Sequence, residues 1–249
     1  MITSNDNERL KTVRKLRDRK WREREGMFAT EGEDLLSAGL AAGWSPVDVL
    51  VPPDVSFDGV EAIEVEPHLL DGVSTLGSGT RAIAVWRVPP EPDEGGPAVY
   101  LHGVGDPGNV GTIVRTAAAL TGSRVVLGAG SADPYSPKAV RASMGAIFGT
   151  PPGRGRVEDT SAPRIALVAH GGAGLDEAIA SLGAEPTVCL GAEREGLPDV
   201  IVDACDATAT IPLLAGTESL NVAAAAAIAL QRISSTGSRA GQKQAIDDA

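Results

Sequence analysis

Residues 210–233 read TIPLLAGTESLNVAAAAAIALQRI, and the fold turns on how this stretch is parsed. A short apolar, strand-like run is separated by the polar turn Gly216-Thr217-Glu218-Ser219-Leu220-Asn221 from a helix made mostly of alanine. Ser219 or Asn221 can cap the free N–H groups of the first helical turn. Residues 222–230 are apolar on every side, which predicts a helix surrounded by protein rather than lying half in water. Alanine also lets a backbone or a ligand approach closely. The polar turn in front of this helix is therefore a candidate binding position.

Working back from that helix, apolar runs alternate with helical patterns. Strands are expected at residues 98–102, 124–127, 164–169 and 187–190, with helices at 110–120, 137–146 and 174–181. Strands alternating with helices at this spacing imply an α/β domain with a mainly parallel sheet covered on both faces. The first ninety residues read as a smaller alternating α/β unit. In it a helix over residues 8–25 carries a thin apolar stripe of Leu10, Val13, Leu16, Lys20 and Trp21 among basic residues. Strands at 28–32, 47–51, 61–65 and 81–88 and helices at 33–42 and 67–73 follow. Residues 89–97, PPEPDEGGP, form a linker rich in Pro, Gly and acid. The expected organisation is a domain at 1–92, a second at 97–234 and a polar tail at 235–249.

Composition narrows the class. In 249 residues, 3% aromatics beside abundant Ala, Gly and Val favour closely packed α/β layers. The two cysteines, Cys189 and Cys205, match neither a disulfide framework nor a metal-ligand spacing, so no metal is expected and a reducing cytoplasm fits best. The N-terminus lacks an apolar signal-peptide core, and the longest apolar run is the nine residues 222–230, far short of a membrane span. A soluble, unexported protein is the expectation. Net charge is −11, but it is segregated: residues 1–25 carry nine Lys/Arg against five Asp/Glu, whereas residues 26–95 carry two against thirteen. A basic N-terminal segment of this kind is either a solvated helix face or an RNA contact.

Three loops carry polar residues after predicted strands. The first contains GVGDPG at residues 103–108, formally GxGxxG. A nicotinamide or flavin reading fails there, because Pro107 lacks an N–H where a pyrophosphate needs donors, and strand 124–127 ends in Gly128-Ala129-Gly130 rather than an acid for ribose. No P-loop sequence occurs. The same loop offers Asn109 at a helix start and Arg115 in the second turn, whose long side chain leans back toward the strand ends. The second loop, residues 189–198, has Gly191 and Gly196 bracketing Glu193. The third is the polar turn with Ser219 and Asn221. Taken singly, the first reads better as a cap with a surface cation and the second as an acidic turn.

Taken jointly, DPGNVGTIVRTAAALTG (106–122), LGAEREGLP (190–198) and IPLLAGTESLNVAAAAAIAL (211–230) resemble the three motifs of the SpoU (TrmH-like) RNA 2′-O-ribose methyltransferases of the SPOUT superfamily. SPKAVRASMGAIFGTP (136–151) also looks familial, and RKLRDRKWREREGMFATEGEDLLSAGLAAG (14–43) is similar to the L30e-like substrate-binding domain that precedes the catalytic domain in many members. The sequence departs from many relatives at Ala192 and at Arg194-Glu195. The resemblance implies a SPOUT α/β catalytic domain with a C-terminal trefoil knot, and S-adenosyl-L-methionine as co-substrate without a metal. Gly191, Gly196, Ile211 and Leu220 match the cofactor positions, and Asn109, Arg115, Glu193, Ser219 and Asn221 the catalytic set. It further implies a homodimer joined through the knot region, acting on RNA, with large-subunit rRNA favoured over tRNA. Arg9, Lys11, Arg14, Lys15, Arg17, Arg19, Lys20 and Arg22 are the expected RNA contacts. A catalytically silent RNA-binding relative is the alternative.

Overall fold

Asn7 starts the first helix by accepting the Arg9 backbone N–H at 3.0 Å, and the segment expected as one helix proves to be two, α1 (Glu8–Lys15) and α2 (Arg19–Glu25). Leu16 closes α1, and Asp18, with extended backbone angles, stands at the head of α2. The Asp18 side chain makes no cap hydrogen bond, but an aspartate is disfavoured in a helix interior, which is consistent with a break at this position. The computed structural model describes all residues except 77–78, 91–95, 184, 215–218 and 248–249, with side chains as far as residue 235.

The chain divides into two units, Met1–Pro90 with Asp133–Gly149, and Glu91–Ala132 with Thr150–Ala249. In the first, β1 (Met27–Glu31), α3 (Glu33–Ala41), β2 (Asp48–Val51), β3 (Ile63–Glu64), α4 (Pro67–Val73) and β4 (Ile83–Arg87) form a four-stranded sheet in the order β1-β4-β2-β3. β4 is antiparallel to β1 and β2, and β3 runs parallel to β2. The strand period of two sends Ile83 and Val85 to one face, with Leu10, Leu16 and Leu70, and Ala84 and Trp86 to the other, with Phe28 and Leu36. Tyr135, Val140, Ile147 and Phe148 complete that second core, so residues 133–149, expected within the second domain, pack on the first unit.

The second unit continues the alternation with β5 (Ala98–Leu101), α5 (Pro107–Leu120) and β6 (Arg124–Leu127); α6 (Pro137–Ser143) and α7 (Ala146–Gly149) belong to the first unit. After β7 (Gly153–Arg154) come β8 (Arg164–Leu167), β9 (Ala173–Gly174), α8 (Leu175–Leu182), β10 (Thr187–Leu190), α9 (Asp199–Val202), β11 (Ala207–Thr210) and α10 (Val222–Asp247). The sheet order is β7-β6-β5-β10-β8-β11-β9 and every neighbouring pair is parallel. The parallel α/β expectation therefore holds.

Two details of the opening stretch are corrected. The strand is β11, which ends at Thr210, so residues 211–214 are irregular chain leaving the sheet edge. Nor is α10 enclosed all round within the chain: Val222, Ala223, Ala226, Ala229, Leu230 and Ile233 are buried at helical spacing, but Ala224 is exposed and Ile228 is 38% exposed. The buried face packs chiefly on α5. The helix continues through the expected polar tail to Asp247. Gly216, Thr217 and Glu218 of the polar turn lie outside the described residues. Among the described residues no helix is long and apolar enough to cross a membrane.

Candidate active site

All strands of the parallel sheet end at one edge, and a cavity of ≈ 710 Å³ opens there beyond three adjacent strands, β10, β8 and β11. Ligands of open α/β sheets gather at this edge, because loops diverge there and leave backbone groups unpaired. Leu190, Gly191, Glu193 and Gly196 form one wall, Ile211, Leu213, Ser219 and Leu220 another, and Val168 and His170 a third. The loop after β10 is held tight by reciprocal hydrogen bonds between Ala192 and Gly196, 3.1 and 2.9 Å, with Gly196 at φ +71°. Gly191 has no room for a side chain, since an added Cβ would collide with the Gly196 carbonyl group. Beneath the cavity, the hydrogen bond with Cys205, reinforced by burial, holds the Cys189 thiol well above its ordinary range. Cys189 is therefore a protonated packing residue and not a nucleophile.

The three loops meet through side chains. Asp106 caps α5 by accepting the Asn109 backbone N–H at 3.0 Å, which fixes Asn109 in the first turn. Asn109 Nδ2 then donates to Glu193 Oε1 on the loop after β10. Asn221 Nδ2 donates to Asn109 Oδ1 at 3.2 Å, while Asn221 Oδ1 accepts the Ala223 and Ala224 N–H groups at 2.9 and 3.3 Å. Asn221, rather than Ser219, is thus the cap of α10. The result is a polar chain, Asn221 to Asn109 to Glu193, ending in the cavity wall.

Arg115 is not drawn into this group. It lies exposed on α5, outside the cavity lining, with no hydrogen bond or ion pair to a described residue. Reasoning from sequence missed the β8 side of the cavity, Leu167 to His170, and also Leu213 and Ala225. The position of β8 beside β10 in a parallel sheet was the available signal, but adjacency is not visible in a single sequence. Among the described residues no group of three or more His, Cys, Asp or Glu could hold a metal ion.

The basic N-terminal residues divide sharply. Arg22, expected to face RNA, is 5% exposed and pairs at 2.7 Å with Asp133, itself 12% exposed. Its guanidinium also donates to the Leu16 and Arg17 carbonyls at 2.7 Å, so it is spent inside the unit. Arg9 pairs with Asp48, Lys11 with Glu8 and Arg19 with Glu23 at the surface. Arg14 and Arg17 donate to the Asn5 and Ser74 carbonyls. Lys15 lies over the Trp21 ring, and Lys20 has no partner among the described residues.

Residues 96–231 match the model of the SpoU rRNA Methylase family, and residues 7–84 that of the MRM3-like substrate binding domain. The chain belongs to the SpoU rRNA methylase family. This SpoU chain is 30% identical to the 23S rRNA (guanosine(2553)-2′-O)-methyltransferase RlmP of Bacillus subtilis, over 91% of its own length and 96% of the relative's. It is 38% identical to an uncharacterized tRNA/rRNA methyltransferase of Mycobacterium tuberculosis over 57% of its length, and there it spans about half (52%) of the relative. Among solved structures, the SpoU methyltransferase AviRb of Streptomyces viridochromogenes in complex with AdoMet superposes with a TM-score of 0.78 at 26% identity, covering 92% of the SpoU chain and 98% of AviRb.

Proposed function

We propose that the protein transfers the methyl group of S-adenosyl-L-methionine (AdoMet) to a ribose 2′-hydroxyl of RNA, with large-subunit rRNA as substrate. The observation that carries this reading is the polar chain from Asn221 through Asn109 to Glu193, which sets an oriented carboxylate in the wall of a cavity whose other polar lining residues are His170, Arg194, Glu195 and Ser219. The residues present fit the cofactor. The cavity lies within the size range of small-molecule sites, Gly191 and Gly196 leave its loop backbone uncovered, and Ile211 and Leu220 give it apolar walls. When bound, AdoMet supplies an activated sulfonium methyl.

The protein's own task is then positioning. Glu193, held by Asn109, accepts and orients the ribose hydroxyl, with Ser219 in another wall of the same cavity. A guanidinium is a donor and not a proton acceptor, so the role of Arg115 is to hold the target phosphate or stabilise the developing alkoxide. Because it reaches none of these groups in its own chain, we assign it to the site of a second copy in a homodimer joined through the knot region. The open Ala224 and Ile228 face of α10 supports that assembly. The surface cations of residues 9–20 supply RNA phosphate contacts, and the protein works in the cytoplasm, where rRNA is modified.

Relatives named for 23S rRNA 2′-O-methylation support rRNA over tRNA. A catalytically silent RNA binder would have no use for the Asn109, Glu193 and Asn221 set. Calorimetry with AdoMet, followed by mapping of 2′-O-methyl groups on deproteinised large-subunit rRNA and on tRNA, decides among these readings. Saturable binding and a single rRNA site are expected. Absence of AdoMet binding would overturn the enzyme reading, and methylation of tRNA alone would reassign the substrate.

A further inference from the structure

The first unit holds all three tryptophans of the chain, in two different environments. Trp86 and Trp44 serve the core: Trp86 is fully buried and donates its indole N–H to Thr30 Oγ1 at 2.9 Å, and Trp44 donates to the Phe148 carbonyl at 3.0 Å. Both pack edge-on against Phe148. Trp21, expected in the apolar stripe of the first helix, is instead on α2 outside both hydrophobic clusters of its unit. Its indole N–H has no hydrogen-bond partner among the described residues, and its ring is only part-buried. What surrounds it is positive charge: Lys15 Nζ lies 5.1 Å and the Arg24 guanidinium carbon 4.9 Å from the ring centroid. Lys20, its neighbour in sequence, is without a side-chain partner among the described residues.

We infer that Trp21 is a stacking platform for an unpaired base of the RNA substrate, with Lys15, Lys20 and Arg24 taking the flanking phosphates. This rests on the RNA methyltransferase reading above and adds to it the position at which a single-stranded nucleotide is held. An indole set among surface cations, of which Arg24 makes a loose 3.7 Å ion pair with Glu25, matches the chemistry of an unpaired nucleotide, which presents an aromatic face and an adjacent phosphate. The two cations over the ring do not block this use. A cation–π contact at an exposed site is weaker than a base–aromatic stack, and the displaced cation gains a phosphate as the ring gains a base. Charge also selects the occupant, since residues 1–25 are net positive in a chain of net charge −11. A polyanion is drawn to this segment and away from the acidic remainder of the unit.

The test uses the full chain with deproteinised large-subunit rRNA as the probe. Trp86 is fully buried but Trp44 only partly so, and the measurement is therefore made in a Trp44→Phe background. There, quenching of intrinsic fluorescence on adding rRNA reports Trp21, and the further change Trp21→Phe should abolish it while keeping affinity within about twofold. Trp21→Ala should raise the Kd about tenfold with the slope of log Kd against log salt unchanged, whereas Lys15→Ala should lower that slope by about one. Quenching that persists in Trp21→Phe, or an unchanged Kd in Trp21→Ala, would overturn the platform. Failure of the underlying reading shows separately, as wild-type protein that binds no AdoMet in calorimetry.

Discussion

Asn221 and Asn109 stand 112 residues apart in sequence and share a hydrogen bond of 3.2 Å, so the residue that caps α10 also steadies the head of α5. The two roles separate by substitution. Asn221→Ala loses the cap and should cost about 1 kcal/mol in urea unfolding. Asn221→Ser restores a cap but is too short to reach Asn109, so stability should return while methyl transfer stays depressed by about tenfold or more.

The Arg115 side chain makes no hydrogen bond or ion pair to a described residue of its own chain, which makes its removal informative. Arg115→Ala should unfold within about 0.5 kcal/mol of wild type and bind AdoMet normally in calorimetry, with transfer down by at least about a hundredfold. Gly191→Val should fail to bind AdoMet, because its side chain would displace the Gly196 backbone. Mixing the two inactive proteins tests the dimer: if Arg115 acts across a two-fold interface, random pairing restores about a quarter of wild-type activity, since half the dimers are mixed and each has one intact site. No recovery would place Arg115 in its own subunit's site.

The Arg22–Asp133 pair joins α2 to the chain entering α6, inside the first unit. Breaking a buried pair strands the remaining charge, so Asp133→Ala or Arg22→Ala should cost about 3–5 kcal/mol by chemical denaturation. Removing both charges in Arg22→Met/Asp133→Ala should recover part of that loss, because no lone buried ion is left. Additive losses in the double variant would show that the pair itself contributes nothing.

Neighbouring alanines of α10 should answer differently to the same change. Ala226 has no exposed surface and faces the packed interior, so Ala226→Leu should destabilise by about 1–3 kcal/mol through overpacking. Ala225 lines the cavity, so Ala225→Leu should instead weaken AdoMet binding in calorimetry while shifting the melting temperature little.

What could be read in advance follows the physics of each signal. The parallel sheet announced itself through unbroken apolar strands such as residues 98–101 and 187–190, which only a sheet buried on both faces requires. The loop residues Asn109, Glu193 and Asn221 were recognisable because three spaced motifs reinforce one another, and the structure brings them together. β11 was misplaced because ATAT offers little apolar contrast, and β7 and β9, of two residues each, have none. The open side of α10 was hidden because alanine is as much at home in water as in a core. Arg22 was misassigned because counting charge treats every arginine as solvated, and only the arrival of Asp133 shows otherwise.

The return of residues 133–149 to the first unit bears on how this protein can be taken apart. A cut at the proline-rich linker appears natural in sequence, yet a fragment ending there would carry Phe28, Trp44 and Trp86 without Tyr135 and Phe148, the rings they pack against. The amino-terminal half is therefore not an independent cassette. Recombination that exchanged it alone would deliver a protein with an unfilled core, so variation in this unit must arise by point substitution on its surface or by replacing two separated stretches of the gene at once.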